Sequence, residues 1–346
     1  MNRILRRLAA TVILAGVAIF SAPNFGQAQT NLIVNCIWPP QHFICQKVLP
    51  TWIEDVNKAT SGRVKVSQLA MNASAPAEQL SSVEKGAFDI AIQFNGLIQN
   101  RVIGPSVTMT PFSASDDSEA MTQALWETRQ KYFPDEFKTV QLLSLFVFEA
   151  GKLFSTTDKP VTSMSDLKSR KVWTLPGTVA EIVKKTGAGA VATPAVKSIE
   201  IISRGVVDAH FGMGHQDLQG LQLSRYSKSV TMFRNSVMAA SFSFIVNADK
   251  WKSISEADQK AIMEVSGLKF GKAVASAQKE LTQKALAAQQ AEGMKVVNAD
   301  PEFEKQLTEE SQFMTQRWLD QAKQAGIDAQ GAYDFYVKRV KELTPK

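Results

Sequence analysis

Histidine and cysteine are scarce in this chain, with three histidines and two cysteines in 346 residues. There is no H-E-x-x-H, no C-x-x-C and no carboxylate-rich loop. His210 and His215 stand five apart, a spacing that puts them on different sides of a helix, so the pattern argues against a metal site. No G-x-S-x-G elbow occurs, which leaves a hydrolase of that kind without support. No dense run of lysine and arginine is interleaved with aromatics, so the footprint of a nucleic-acid binder is missing. No apolar run reaches the roughly 20 residues of a membrane-spanning helix. Internal repeats and low-complexity tracts are also lacking. The stretch "GAGAVA" (187–192) formally satisfies the dinucleotide pattern G-x-G-x-x-A. It follows a helix-like segment, however, where that motif needs a preceding strand, and it reads as a helix-ending turn that leads into a strand.

What is present begins with a basic and then apolar N-terminus. Arg3, Arg6 and Arg7 precede an apolar run from Leu8 to Phe20, and the small-x-small triplet Gly26-Gln27-Ala28 follows. This is the pattern of a secretory signal peptide over 1–28, and it predicts a soluble protein outside the cytoplasm, in the periplasm. Its removal takes three positive charges and no acidic residue, leaving 36 basic against 33 acidic residues. The basic character of the whole chain therefore owes much to the leader. The about 317 residues that remain suit two domains rather than one. Cys36 and Cys45 would meet an oxidising compartment. A bridge between them would stabilise by about 3 kcal/mol on the loop-entropy model; two buried free thiols are the other reading, and spacing alone does not choose between them.

Hydrophobic periodicity alternates strand and helix. "NLIVNCIW" (31–38) reads as a buried strand, 42–60 as a helix with Val48, Trp52, Ile53 and Val56 on one side, and "RVKVSQL" (63–69) as a strand after Gly62. A helix near 76–86 stops at Gly86, and "AFDIAIQF" (87–94) returns as a strand. Further strands are expected at 140–148, 170–175 and 241–247, and helices near 302–325 and 330–342. Such alternation predicts an α/β fold with a parallel or mixed sheet covered by helices.

Six segments, in order, resemble a known family. They are "LPTWIEDVNKATSGRVKV" (49–66), "APAEQLSSVEKGAFDIAI" (75–92), "PSVTMTPF" (105–112), "TTDKPVTSMSDLKSRKV" (156–172), "SIEIISRGVVDAHFG" (198–212) and "FIVNADKWKSISEADQKAI" (244–262). Together they are similar to the TRAP-type periplasmic solute-binding proteins of the dicarboxylate-binding (DctP) family. The resemblance implies a periplasmic-binding-protein-like fold: two α/β domains joined by crossing strands, a long bracing helix and a ligand cleft in the hinge. Carried across, domain one takes 30–150 plus 238–280, and domain two 151–237 plus 281–346. The implied task is capture of a small solute, commonly an organic acid, and its delivery to the TRAP permease membrane subunits, with no catalysis and no cofactor. A sensor subunit for a membrane receptor kinase is the main alternative, and a secreted enzyme on the same scaffold another.

The resemblance also exposes departures. Family members carry an arginine that forks onto the ligand carboxylate, and the register Asp166, Leu167, Lys168, Lys171 puts Trp173 there. Leu153 and Gly212 take the places of a second arginine and of an asparagine found in sialic-acid-binding members, while Asn247 is kept. A carboxylate buried there without a cation would keep its desolvation cost. Three solutes stay open: an acid held by a displaced Arg170, Lys152 or Lys171; a neutral or aromatic compound; or a cation balanced by Glu149. Trp38, Phe94, Phe148 and Trp173 are the expected aromatic wall, with His210 and Phe211 near it. Each also has a plainer role as core, strand-end charge or, for Asn247, backbone bracing.

Overall fold

The computed structural model describes residues 29–345, so the signal-peptide segment 1–28 lies outside the described residues. Among the described residues eleven strands form two sheets. The first contains β1 (Thr30–Asn35), β2 (Val64–Gln68), β3 (Ile90–Phe94), β4 (Val140–Ala150) and β10 (Ala239–Asn247), ordered β2-β1-β3-β10-β4. The second contains β5 (Lys152–Ser155), β6 (Lys171–Thr174), β7 (Gly189–Ala192), β8 (Ala209–Met213), β9 (Ser229–Met232) and β11 (Lys295–Asn298), ordered β11-β9-β5-β8-β6-β7. In the first sheet β1 runs parallel to β2 and β3, while β10 is antiparallel to β3 and β4. This is the mixed α/β architecture that the alternation predicts.

Strands β3, β4 and β10 are buried on both faces, which explains their largely apolar sequences, whereas β1 and β2 alternate buried with more exposed residues. On β10, Phe244 and Val246 join one core and Ile245 the other, as the two-residue period of a strand requires. Trp52, from the helix Leu49–Ala59, meets Phe244 edge-on at 4.8 Å and donates its indole N–H to Ser266 Oγ at 3.0 Å. The apolar stripe on that helix thus finds the sheet, and its one polar atom is satisfied.

Three crossings link the sheets, the last made when the chain leaves β10 and reaches β11. β4 passes into β5 through Gly151 alone, and the chain returns between β9 and β10. Gly151 is required by crowding: a Cβ there would lie 2.6 Å from Gly212 Cα. The helix Gly267–Ala291, about 37 Å long at 1.5 Å per residue, runs across both sheets. At one end Ser144 Oγ donates to Gly267 O at 2.6 Å, midway Gln278 Oε1 accepts from the Glu149 N–H at 2.7 Å, and further on Gln289 Oε1 meets His215 Nδ1 at 2.8 Å.

The last helix, Ala329–Leu343, departs from the sequence expectation that places it with the second unit. Tyr336 and Val340 are buried in the same core as Met121 and Leu125, and Arg339 pairs with Glu127 at 2.7 Å, both on the helix Ser118–Tyr132 that covers the first sheet. Family register reports the order of segments along a chain, and packing of a terminal helix is decided by which apolar face it meets.

Candidate ligand-binding site

The ends of strands from both sheets leave a cavity of about 710 Å³, counting its open mouth. From the first sheet and its loops come Trp38, His42, Phe94, Phe148 and Phe242. The second contributes Leu175, Gly212, Met213 and Asp217, and Glu149 sits just before the crossing. Trp38 stacks on His42 at 4.7 Å and on Phe148 at 5.5 Å, while Phe242 lies 5.1 Å from Trp38 and 5.4 Å from Phe94. These rings form a continuous apolar wall suited to an aromatic or aliphatic body.

The Trp38 segment is held by its neighbours in sequence. Cys36 and Cys45 form a disulfide with Cα atoms 5.8 Å apart, which decides between the two readings of the pair. The bridge closes the loop that carries Trp38 and His42. His42 Nδ1 accepts the Ile44 backbone N–H at 3.4 Å, and burial holds its pKa down at about 3, so the ring is neutral with its proton on Nε2. That Nε2 is buried and has no partner among the described residues.

The polar wall is acidic. Glu149 is 8% exposed, and its Oε1 accepts the Gln216 N–H at 3.2 Å. Asp217 accepts the Gly214 N–H at 3.0 Å and also a hydrogen bond from the Gln216 side chain. Burial, followed by the charge of Asp217, pushes Glu149 up to about 7. Burial likewise raises Asp217 to about 6. Gly214 makes room for the arrangement, because a Cβ at that position would stand 2.0 Å from Glu149 Oε1.

Of the residues expected from sequence, Trp38, Phe94, Phe148, Glu149 and Gly212 come together here. The others do not. Trp173 is fully buried in the second sheet, with its indole N–H donated to Thr193 Oγ1 at 2.8 Å. It pairs in register with His210, which is also fully buried, stacks on Phe154 at 4.8 Å and shares a hydrogen bond with Ser227 Oγ. The cavity is reached two residues later on each strand, at Leu175 and Gly212, roughly 7 Å nearer the strand ends. Leu153 is core, and Phe211 faces away from the cavity to stack on Phe233 at 6.1 Å. Asn247 caps the helix Ala248–Lys252 and donates to Val83 O at 2.8 Å, a backbone-bracing role.

The displaced cations are likewise absent from the lining. Arg170 donates to Thr157 Oγ1 at 2.8 Å and to Lys159 O at 2.6 Å. Lys152 is paired with Asp116, and Lys171 is exposed at the start of β6. Sequence reasoning missed His42, Asp217 and Phe242. Phe242 carried a signal, since it lies on the expected strand 241–247, which pairs it with Phe94; His42 opens the expected helix 42–60 outside its apolar stripe, and Asp217 sits on the helix His215–Gly220, too short to show a period.

A two-sheet α/β molecule with a solute-sized cavity between the sheets is the architecture of a binding protein, and the comparisons agree. Residues 34–321 match the family described as bacterial extracellular solute-binding protein, family 7 (DctP), and the chain belongs to that family. It is 35% identical over 334 residues, 96% of each chain, to a Comamonas testosteroni protein named outer membrane transporter protein TsaT. It is 28% identical to a TRAP periplasmic solute-binding protein of Bordetella bronchiseptica solved with bound (R)- and (S)-mandelate; the match covers 91% of this chain and 99% of the other at a TM-score of 0.84. A Rhodoferax ferrireducens TRAP solute-binding protein in complex with copurified benzoate shares the fold, at 21% identity, 90% and 98% coverage and a TM-score of 0.81. The protein is thus a solute-binding component of the TRAP type. Among the described residues no helix is long and apolar enough to cross a membrane.

Proposed function

We propose that the protein works in the periplasm as the capture component for a TRAP permease, and that its solute carries an aromatic ring. The carrying observation is the wall of four rings, Trp38, Phe94, Phe148 and Phe242, around a cavity between the two sheets. The mandelate-bound relative supports a one-ring solute, since its ligand is of that size. Closure of the two units would bury the ring between them, and the hydrophobic gain would come from both sides. We assign no catalysis, on the ground that the family to which the chain belongs is one of solute-binding proteins.

The test is a thermal-shift screen of the purified protein, refolded to strip any carried-over ligand. The panel holds aromatic and aliphatic compounds, each as acid, neutral and amine forms. A solute that binds only the native state stabilises by about 2.7 kcal/mol at a hundred times its Kd, which for a chain of this size is roughly 5–10 °C. Aromatic members are expected to give that shift. A response confined to aliphatic dicarboxylates would overturn the reading. Loss of uptake of the same compound in a strain lacking this gene, with growth on other substrates kept, separates delivery to a permease from sensing.

A further inference from the structure

The aromatic wall fixes the body of the solute, and the opposite wall bears on its end group. Among the described residues no lysine or arginine lines the cavity, and the ionisable ones that do are His42, Glu149 and Asp217. The nearby cations are committed elsewhere: Lys152 to Asp116, and Arg170 to Thr157 and the Lys159 carbonyl. An anionic head would therefore meet two carboxyl groups and no countercharge.

Glu149 and Asp217 converge on one turn. Glu149 accepts from the backbone of Gln216, and Asp217 from that of Gly214, so the turn 214–217 holds both acids. Glycine at 214 is what admits Glu149, since any side chain there would collide with its carboxylate. Two carboxylates held close and largely out of water repel one another, and a cation between them relieves both the repulsion and the lost hydration. A second observation points to a ligand independently of the acids. His42, 2% exposed and stacked under Trp38, lines the cavity with an unpartnered Nε2. A buried donor of this kind costs free energy until something occupies the cavity and accepts from it, and the π face of an aromatic solute is such an acceptor. The indole face of Trp38 also favours a nearby ammonium group.

We propose that the cavity takes a small aromatic amine, its protonated nitrogen between the carboxylates of Glu149 and Asp217 and its ring against Trp38, Phe94, Phe148 and Phe242. This rests on the aromatic-solute reading and extends it to the end group. The solute class differs from the mandelate of the Bordetella bronchiseptica relative in the sign of its charge. The cause is local, because the lining residues that carry charge, Glu149 and Asp217, are both acids.

The test uses three probes of equal ring and chain length, namely 2-phenylethylamine, 2-phenylethanol and phenylacetate, titrated calorimetrically into the refolded protein. The amine is expected to bind at least tenfold more tightly than the alcohol, with phenylacetate weakest. In Glu149→Gln, which keeps the size of the side chain and the acceptor for the Gln216 N–H, the ratio of amine to alcohol affinity is expected to fall at least tenfold. Asp217→Asn should act in the same direction, and its circular dichroism reports whether the fold is kept. Phenylacetate binding as tightly as the amine would overturn the proposal, as would an amine-to-alcohol ratio unchanged in both variants. Silence of all three probes also overturns it, while the aromatic-solute reading is decided separately by the wider panel.

Discussion

A carboxyl group such as that of Glu149, held out of water beside Asp217, keeps its proton well above the pH at which an unfolded glutamate loses it. Between the ordinary value of 4.5 and the folded value of about 7, the native chain retains a proton that the unfolded chain has released. Stability conferred by this site therefore falls as pH rises through that window, and the loss is complete above about 7. The shift corresponds to about 3 kcal/mol. In the absence of ligand, Glu149→Gln is expected to be more stable than wild type by up to that amount at pH 8 and equal to it at pH 4, where both side chains are neutral. Urea unfolding at the two pH values checks this, and an equal difference at both would sink it. Trp173 supplies a second residue-scale expectation. Trp173→Arg, which restores the family residue, would bury a guanidinium among Val191, His210 and Thr193 with no carboxylate assigned to it. It is expected to cost about 3–5 kcal/mol in urea unfolding and to confer no succinate binding by calorimetry.

At the scale of elements, the segment from Cys36 to Cys45 turns a strand end into a cavity wall. The disulfide pins both ends of the loop, so Trp38 and His42 meet a solute already positioned. Replacing both cysteines by serine is expected to lower stability by about 3 kcal/mol and to weaken solute affinity severalfold, measured by urea unfolding and calorimetry. Unchanged affinity in the double variant would show that the loop is positioned without the bridge. Much of this layer was legible in the sequence. β1, β3, β4 and β10 announce themselves through largely apolar runs, and β2 through its alternation after Gly62. β5, β8, β9 and β11 mix polar with apolar residues over four or five positions without a clear period. Within the site, Trp38, Phe94, Phe148 and Glu149 were legible because they fall at or beyond strand ends. Trp173 misled because alignment gives a position along a strand and says nothing of its depth. Arg170 was read as a cation available to a ligand, whereas its guanidinium fills the hydrogen-bonding needs of the 157–159 loop.

The whole molecule is two sheets joined by three crossings, the last of them carrying the long bracing helix, and that arrangement allows closure. We propose that the units move as two bodies about Gly151, with 30–150 and 238–280 in one body and 151–237 in the other. The last helix, Ala329–Leu343, goes with the first body, because it packs on Ser118–Tyr132. Small-angle scattering with and without a saturating solute is expected to show a smaller radius of gyration in the bound state. An unchanged scattering curve at saturation would mean that the cavity admits its solute without hinge motion.

The position of β10 between β3 and β4 also constrains the order in which the chain can assemble. The first sheet lacks the strand that joins β3 to β4 until residue 247 is available, although its other four strands are complete by residue 150. The N-terminal unit is therefore no independent folding unit: a chain ending at 150 would expose two unpaired edges, those of β3 and β4, both apolar on each face. Pairings of such long sequence separation are slow to form, because loop closure comes before the contacts that reward it. The same thread that hinges the two units thus delays both until most of the chain exists, and makes their folding a single event.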